Sequence, residues 1–298
     1  MKYQEFIEIV KNHISQQVST MHKVSVHPVV KNNGIIYDGL IINDPMLNIS
    51  PTIYLNPYYH RYLNGVPLAD IFADILHTYE EHIPRKDFDV SLFKDYEKAQ
   101  DRIIMKLVNY ERNRELLKEI PHIRFYDLAI IFVCLVSDYL DEYATILIYK
   151  QHMEFWDATI TELYQLAMKN TPRLLPYTFE HMEKYFQRVT PEFMPIHFET
   201  DMYLLTNCVK IHGATCILYP KLLQQLAELL EDNLILLPSS IHEFLILPEK
   251  IMKQGYTLQD FKEMICEANE TSLTDDEVLS DHAYIYLRHS RTIVYKDK

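Results

Sequence analysis
Residues 24–42 read VSVHPVVKNNGIIYDGLII, and this stretch decides what kind of fold the chain can adopt. Val24, Val26, Val29 and Val30 precede Lys31-Asn32-Asn33-Gly34, and a second β-favouring run follows over residues 35–42. Asn-Gly accepts positive φ at little steric cost, so the two runs are expected to fold back on each other as a hairpin. Upstream, Tyr3, Phe6, Ile7, Val10, Ile14 and Val18 recur at helical spacing, which predicts an opening amphipathic helix. Downstream, residues 50–55 read as extended. Pro67 then opens a helix with Leu68, Ile71, Phe72, Ile75, Leu76 and Tyr79 on one face, and Pro84 closes it.

From residue 86 to 97 the apolar pattern weakens and charge rises, so a boundary between two subdomains is expected there. Residues 1–90 form the first (helix, hairpin, helix) and residues 91–298 the larger second. In the latter, residues 103–108, 128–136 and 144–149 are β-leaning, and helical spacing returns over 156–168. The stretch from Pro172 to Pro195 is broken by prolines. Strand-like 202–205 and 216–219 precede a helix started by Pro220 that carries Leu222, Leu223, Leu226, Leu229 and Leu230. Residues 234–237 and 244–247 flank a polar turn. A helix carrying Leu258, Phe261, Ile265 and Ala268 follows, and then a hairpin of 283–287 with 292–295. Helices and hairpins in this order predict an α+β architecture, with amphipathic helices packed on mixed or antiparallel sheets.

Composition removes several function classes. The chain has 298 residues but only five glycines, where average usage would give about twenty. No three glycines stand close enough for a dinucleotide fingerprint, and after Gly34 and Gly39 the positions of a phosphate-loop Lys and Ser/Thr are held by Leu40 and Ile41. The formal net charge is −13, and the nearest basic run, Arg112, Arg114 and Lys118, alternates with Glu111, Glu115 and Glu119. A nucleic-acid partner is therefore not expected. The longest apolar run, 128–136, is far below the roughly 18 residues of a membrane span. Met1 to Phe6 shows no signal-peptide core, so neither membrane association nor export is expected. Cys134, Cys208, Cys216 and Cys266 lack zinc or disulfide spacing and read as reduced core residues of a cytoplasmic protein.

Candidate chemistry is sparse. Leu237-Pro238-Ser239-Ser240-Ile241-His242-Glu243 places hydroxyls, an imidazole and a carboxylate together, the residue types of a nucleophile, base and orienter. Ser240-x-x-Glu243 is also the spacing of a helix capping box, which is the favoured reading. His242-Glu243 starts like a zinc-binding helix, but Ile246 occupies the second ligand position. His77 and His82 lie five apart, turned by roughly 140° on a helix, and suit an exposed polar face better than a shared ion. Ser280-Asp281-His282 before the last hairpin could supply an oriented base. Asn48 and Ser50, with Thr52, form a further polar group after the first hairpin. For both groups ordinary turn hydrogen bonding is the simpler reading. No metal and no cofactor are expected.

Several strings together resemble one family. These are Lys31-Asn32-Asn33-Gly34; NISPTIYLN from Asn48 to Asn56; Gly213-Ala214 with Ile217-Leu218-Tyr219-Pro220; LPSSIHE from Leu237 to Glu243; and VLSDHAYIY from Val278 to Tyr286. In this order they resemble a bacterial family of unknown function numbered 5688, over nearly the whole chain. The C-terminal layout is also loosely similar to another such family, 1444. The resemblance implies a bacterial, cytoplasmic protein and carries no catalytic residue with it. The expected function is a non-catalytic binding or regulatory module for a protein or small-molecule partner. The alternative is a hydrolase-like enzyme using Ser239, Ser240, His242 and Glu243 with Asp281 and His282.

Overall fold
Helix α1 (Tyr3–Gln17) follows from the apolar spacing at its start: Phe6, Ile7, Val10 and Ile14 fall on one stripe, and all four are buried. In the computed structural model, which describes residues 1–83, 91–136, 144–190 and 201–295, the chain divides into two compact units, Met1–Val90 and Ser91–Lys298. In the first, β1 (Lys23–Val30) and β2 (Ile36–Asn43) pair antiparallel from Lys23↔Asn43 to Val30↔Ile36. The loop of residues 31–35 turns through Asn33 at φ 60° and Gly34 at φ 70°, the left-handed region for which Asn-Gly is suited. Strand β3 (Thr52–Tyr54) adds to the far edge of β2, and α2 (Leu55–Leu63) starts at once, so the extended reading of 50–55 holds only for its middle. Helix α3 (Leu68–His82) begins after Pro67 and buries Ile71, Ile75 and Tyr79 against α1 and Leu40, Ile42 and Ile53 of the sheet. The stop assigned to Pro84 lies outside the described residues.

The second unit opens with two short helices, α4 (Ser91–Lys94) and α5 (Tyr96–Gln100), before β4 (Ile103–Asn109). Helix α6 (Arg114–Glu119) is the segment of alternating charge. It lies at the surface with Arg114 paired to Glu111 and Lys118 to Glu115. Strands β5 (His122–Phe125), β6 (Leu128–Leu135) and β7 (Thr145–Leu147) complete one antiparallel sheet. In it β6 pairs with β4 along one side and with β5 and β7 in tandem along the other. Where one helical run is expected over 156–168, two form: α7 (Lys150–Trp156) and α8 (Ile160–Leu174). Asp157 at φ 51° ends the first, and Thr159 caps the second by accepting from the Glu162 amide.

Then come β8 (Tyr177–His181), α9 (Met182–Val189) and β9 (Tyr203–Asn207). The strand expected at 216–219 is instead a 3₁₀ segment, Gly213–Leu218, followed by α10 (Leu222–Leu229). Strands β10 (Leu234–Ser240) and β11 (Glu243–Pro248), helix α11 (Leu258–Thr271) and strands β12 (Tyr284–Leu287) and β13 (Thr292–Tyr295) finish the unit. The second antiparallel sheet runs β13-β12-β10-β11-β9-β8. Alternation along each strand sorts side chains between layers. Met105, Leu107, Ile130 and Phe132 share one core with Leu234, Leu236, Phe244 and Ile246 of the other sheet. Ile235, Leu237 and Leu247 face the opposite way and pack under Phe261 and Ile265 of α11.

Strand β4 poses a problem that the fold solves with side chains. All seven of its residues are buried, yet it forms the edge of its sheet, where outward N–H and C=O groups lack a neighbouring strand. Thr171 Oγ1 accepts from the Met105 amide at 3.1 Å, and Thr215 Oγ1 accepts from the Leu107 amide at 3.2 Å. Asn170 donates to the Ile103 carbonyl at 3.1 Å and Asn113 to the Asn109 carbonyl at 2.8 Å. Thr215→Val keeps the shape and removes the acceptor. It is expected to cost about 1–3 kcal/mol in urea unfolding, the penalty of a buried orphan amide. A cost below about 0.5 kcal/mol would mean that Leu107 finds another acceptor.

Candidate functional site
The polar string 239–243 lies where β10 turns into β11. Ser240 pairs with Glu243 across Ile241 and His242, after a register shift that starts at Pro238, so the string is a hairpin turn and not a helix start. The capping-box reading is therefore corrected: strand pairing on both sides uses the backbone groups that a cap would have met. The two serines serve the turn. Ser240, buried, accepts from the His242 backbone amide at 2.9 Å, and Ser239 donates to Glu243 Oε1 at 3.2 Å. Among the described residues neither hydroxyl meets an imidazole nitrogen.

His242 is the centre of a wider cluster. Its Nδ1 accepts from the His212 backbone amide at 3.1 Å, which places the ring proton on Nε2, 3.7 Å from Glu277 Oε1. Its carbonyl accepts from Thr206 Oγ1 at 2.7 Å, and the His212 ring lies 5.6 Å away between centroids. Burial pulls the imidazole below its ordinary 6.5. Glu277, Glu243 and Asp276 oppose that shift, and the Lys106 ammonium reinforces it. Lys106 is itself buried on β4, donating to Thr145 Oγ1 at 2.9 Å.

The second string is set differently. Asp281 accepts from Asn269 at 2.7 Å and faces Arg112 at 3.6 Å, while His282 rests edge-on against the Tyr295 ring at 5.2 Å. Ser280, fully buried, donates to Asp127 Oδ2 at 2.6 Å and accepts from the His282 amide at 3.0 Å. The Tyr284 hydroxyl donates to Asp127 Oδ1 at 2.5 Å. Burial, and then the Asp127 charge, push that phenol well above its ordinary value. Asn48 and Ser50 belong to the first unit. Asn48 is exposed, and Ser50 donates to Asn43 Oδ1 at 3.3 Å.

An open depression of about 450 Å³ lies elsewhere in the second unit, walled by Pro121, Lys150, Met153, Glu154, Asp157 and Thr159. None of the candidate residues lines it. Among the described residues no three His, Cys, Asp or Glu side chains gather as metal ligands. His77 faces Glu81 at 3.3 Å, and His82 bonds the Thr78 carbonyl at 2.8 Å. Of the cysteines, Cys134 and Cys216 are buried and burial pushes each thiol up to about 12. Cys208, expected in the core, is exposed because it sits in the turn that follows β9.

Lys106, His212 and Glu277 were not among the residues singled out from the sequence. Lys106 carried a signal, a lone cation inside the apolar run 103–108; His212 and Glu277 carried none, because only the fold brings them to His242.

The fold defines an α+β protein, whose described residues form three antiparallel sheets, one in the first unit and two in the second. The chain belongs to the family of unknown function DUF5688, whose model matches residues 3–288. That match does not extend to family 1444. No curated protein and no solved structure matches the chain. No helix among the described residues is long and apolar enough to cross a membrane.

Proposed function
We propose that this chain is a cytoplasmic bacterial binding or regulatory module without catalytic activity, which recognises a protein or small-molecule partner and neither nucleic acid nor a membrane. The observation that carries the reading is the engagement of the candidate groups. Ser240 holds a backbone amide, Ser239 is tied to Glu243, and His242 Nδ1 is occupied by the His212 amide. A nucleophile needs a base within hydrogen-bond reach, and here the ring nitrogen that could accept already serves the backbone. The acidic surface disfavours phosphate backbones through plain repulsion.

The hydrolase-like alternative rests on Ser239, Ser240, His242 and Glu243 with Asp281 and His282. The two readings separate in one pair of assays on the full chain. A metabolite thermal-shift screen, with crosslinking in bacterial lysate, is expected to yield a ligand or stoichiometric partner that raises Tm. Turnover of ester, amide or phosphoester substrates that disappears in Ser239→Ala would overturn the binding-module reading.

A further inference from the structure
The turn holding His242 is joined to residues 208–218, a strap that follows β9 and touches both sheets of the second unit. The His212 amide donates to His242 Nδ1, and the Ala214 amide donates to the Ile241 carbonyl at 3.3 Å. One residue further on, Thr215 caps the Leu107 amide at the edge of β4. The strap is thus held to one sheet by the β10–β11 turn and to the other by a threonine. The first attachment depends on a titratable acceptor. An imidazole accepts at Nδ1 only while neutral; once charged, both ring nitrogens are donors.

We propose that His242 is an acid-released latch: its neutral ring holds the strap by accepting the His212 amide, and protonation lets that attachment go. Every charged or titratable group facing the ring enters the balance. Glu277, Glu243 and Asp276 favour the cation, while burial and Lys106 oppose it; the His212 amide already fills Nδ1, and the His212 ring lies alongside. Burial is the largest of these effects, so the closed strap holds the ring below an ordinary imidazole's affinity for protons. The sign follows from linkage. The latch is fully closed above 6.5, the ordinary imidazole value; it loosens as pH falls below 6.5 and is weakest once pH has fallen through the closed-state value beneath it. Each unit between the two values makes opening about tenfold more favourable at the acid limit.

Amide hydrogen exchange on the full chain tests this, with protection factors corrected for intrinsic rates at about pH 7.5 and 5. Protection of His212 and Ala214 is expected to be lost in acid while Leu236, inside β10, keeps its own. In His242→Asn the side-chain oxygen can take the place of Nδ1 without titrating, and the acid loss should vanish. Should that variant fail to fold, ¹⁵N shifts of the wild-type imidazole decide. The latch requires the Nε2–H tautomer at neutral pH, and titration below 6.5 that tracks the loss at His212. Parallel loss at Leu236, an undiminished acid response in His242→Asn, or titration at or above 6.5 would overturn it.

Discussion

Gly213→Ala is expected to be the most damaging single-methyl change in this protein. A Cβ at this position would overlap Thr206 Oγ1 and stand 2.5 Å from the His242 carbonyl oxygen and 2.7 Å from the Asn207 amide nitrogen. Two of those three atoms are backbone in paired or tightly turned segments, so they cannot swing aside as a side-chain tip can. Overpacking usually costs about 1–3 kcal/mol, and this site belongs at or above the top of that range. The strain also falls on a joint: pushing Gly213 outward would lengthen the His212–His242 and Ala214–Ile241 bonds and draw Thr215 from Leu107. Urea unfolding should show a loss of about 3 kcal/mol or more. Adding Thr206→Ala should restore only part of it, because the backbone contacts remain. A loss under about 1 kcal/mol would mean that the strap is softer than its contacts imply.

Asp127→Ala should have the next largest effect. Asp127 sits in the tight turn between β5 and β6, and its carboxylate receives the hydroxyls of Ser280 and Tyr284, which are 0% and 1% exposed. Hydrogen bonds to a charged acceptor are worth about 1.5–3 kcal/mol each, and truncation leaves two buried donors without it. The two bonds share one acceptor and Ser280 also touches Tyr284, so their losses will not simply add. A net loss of about 3 kcal/mol is expected by urea unfolding. Tyr284→Phe, which removes one donor and leaves the carboxylate with Ser280, should lose about half as much. In the double variant the second change should cost little once the first is made. Full additivity would show that Asp127 and Tyr284 act independently.

Both positions show why the sequence was legible in some places and silent in others. The first hairpin was readable because its information is local: Asn33-Gly34 can take positive φ, and valines and isoleucines stand on either side. Helices α1, α3 and α11 were readable because their apolar residues repeat at the period of the helix. Helix α2 was missed because Tyr58, Tyr59 and Tyr62, half-buried aromatics, carry its inner face where aliphatic residues normally mark one. Residues 216–219 read as a strand but belong to the 3₁₀ segment Gly213–Leu218 and the residue after it, because a short buried apolar run does not declare its own conformation.

The candidate site divides the same way. That a polar turn lies between the apolar runs 234–237 and 244–247 could be read from the string itself. That Ser240-x-x-Glu243 closes a hairpin, and does not cap a helix, depends on β9 and β12 pairing beside it. Local spacing fits both outcomes, and only the neighbouring strands choose between them.

By itself the sequence determined the α+β class, the first hairpin, most strands and helices, and the absence of glycine patterns for gripping a phosphate. Those properties depend on side-chain periods of two and 3.6 residues and on backbone preferences, which act over a few positions. Tertiary structure alone decided which polar groups meet. Thr215 and Leu107 are 108 residues apart, and Ser280 and Asp127 are 153 apart. His242 acquires its burial and its partner amide only where a strap from beyond β9 folds onto the turn. Such contacts follow from burial, which obliges every enclosed donor and acceptor to find a partner wherever along the chain it happens to lie.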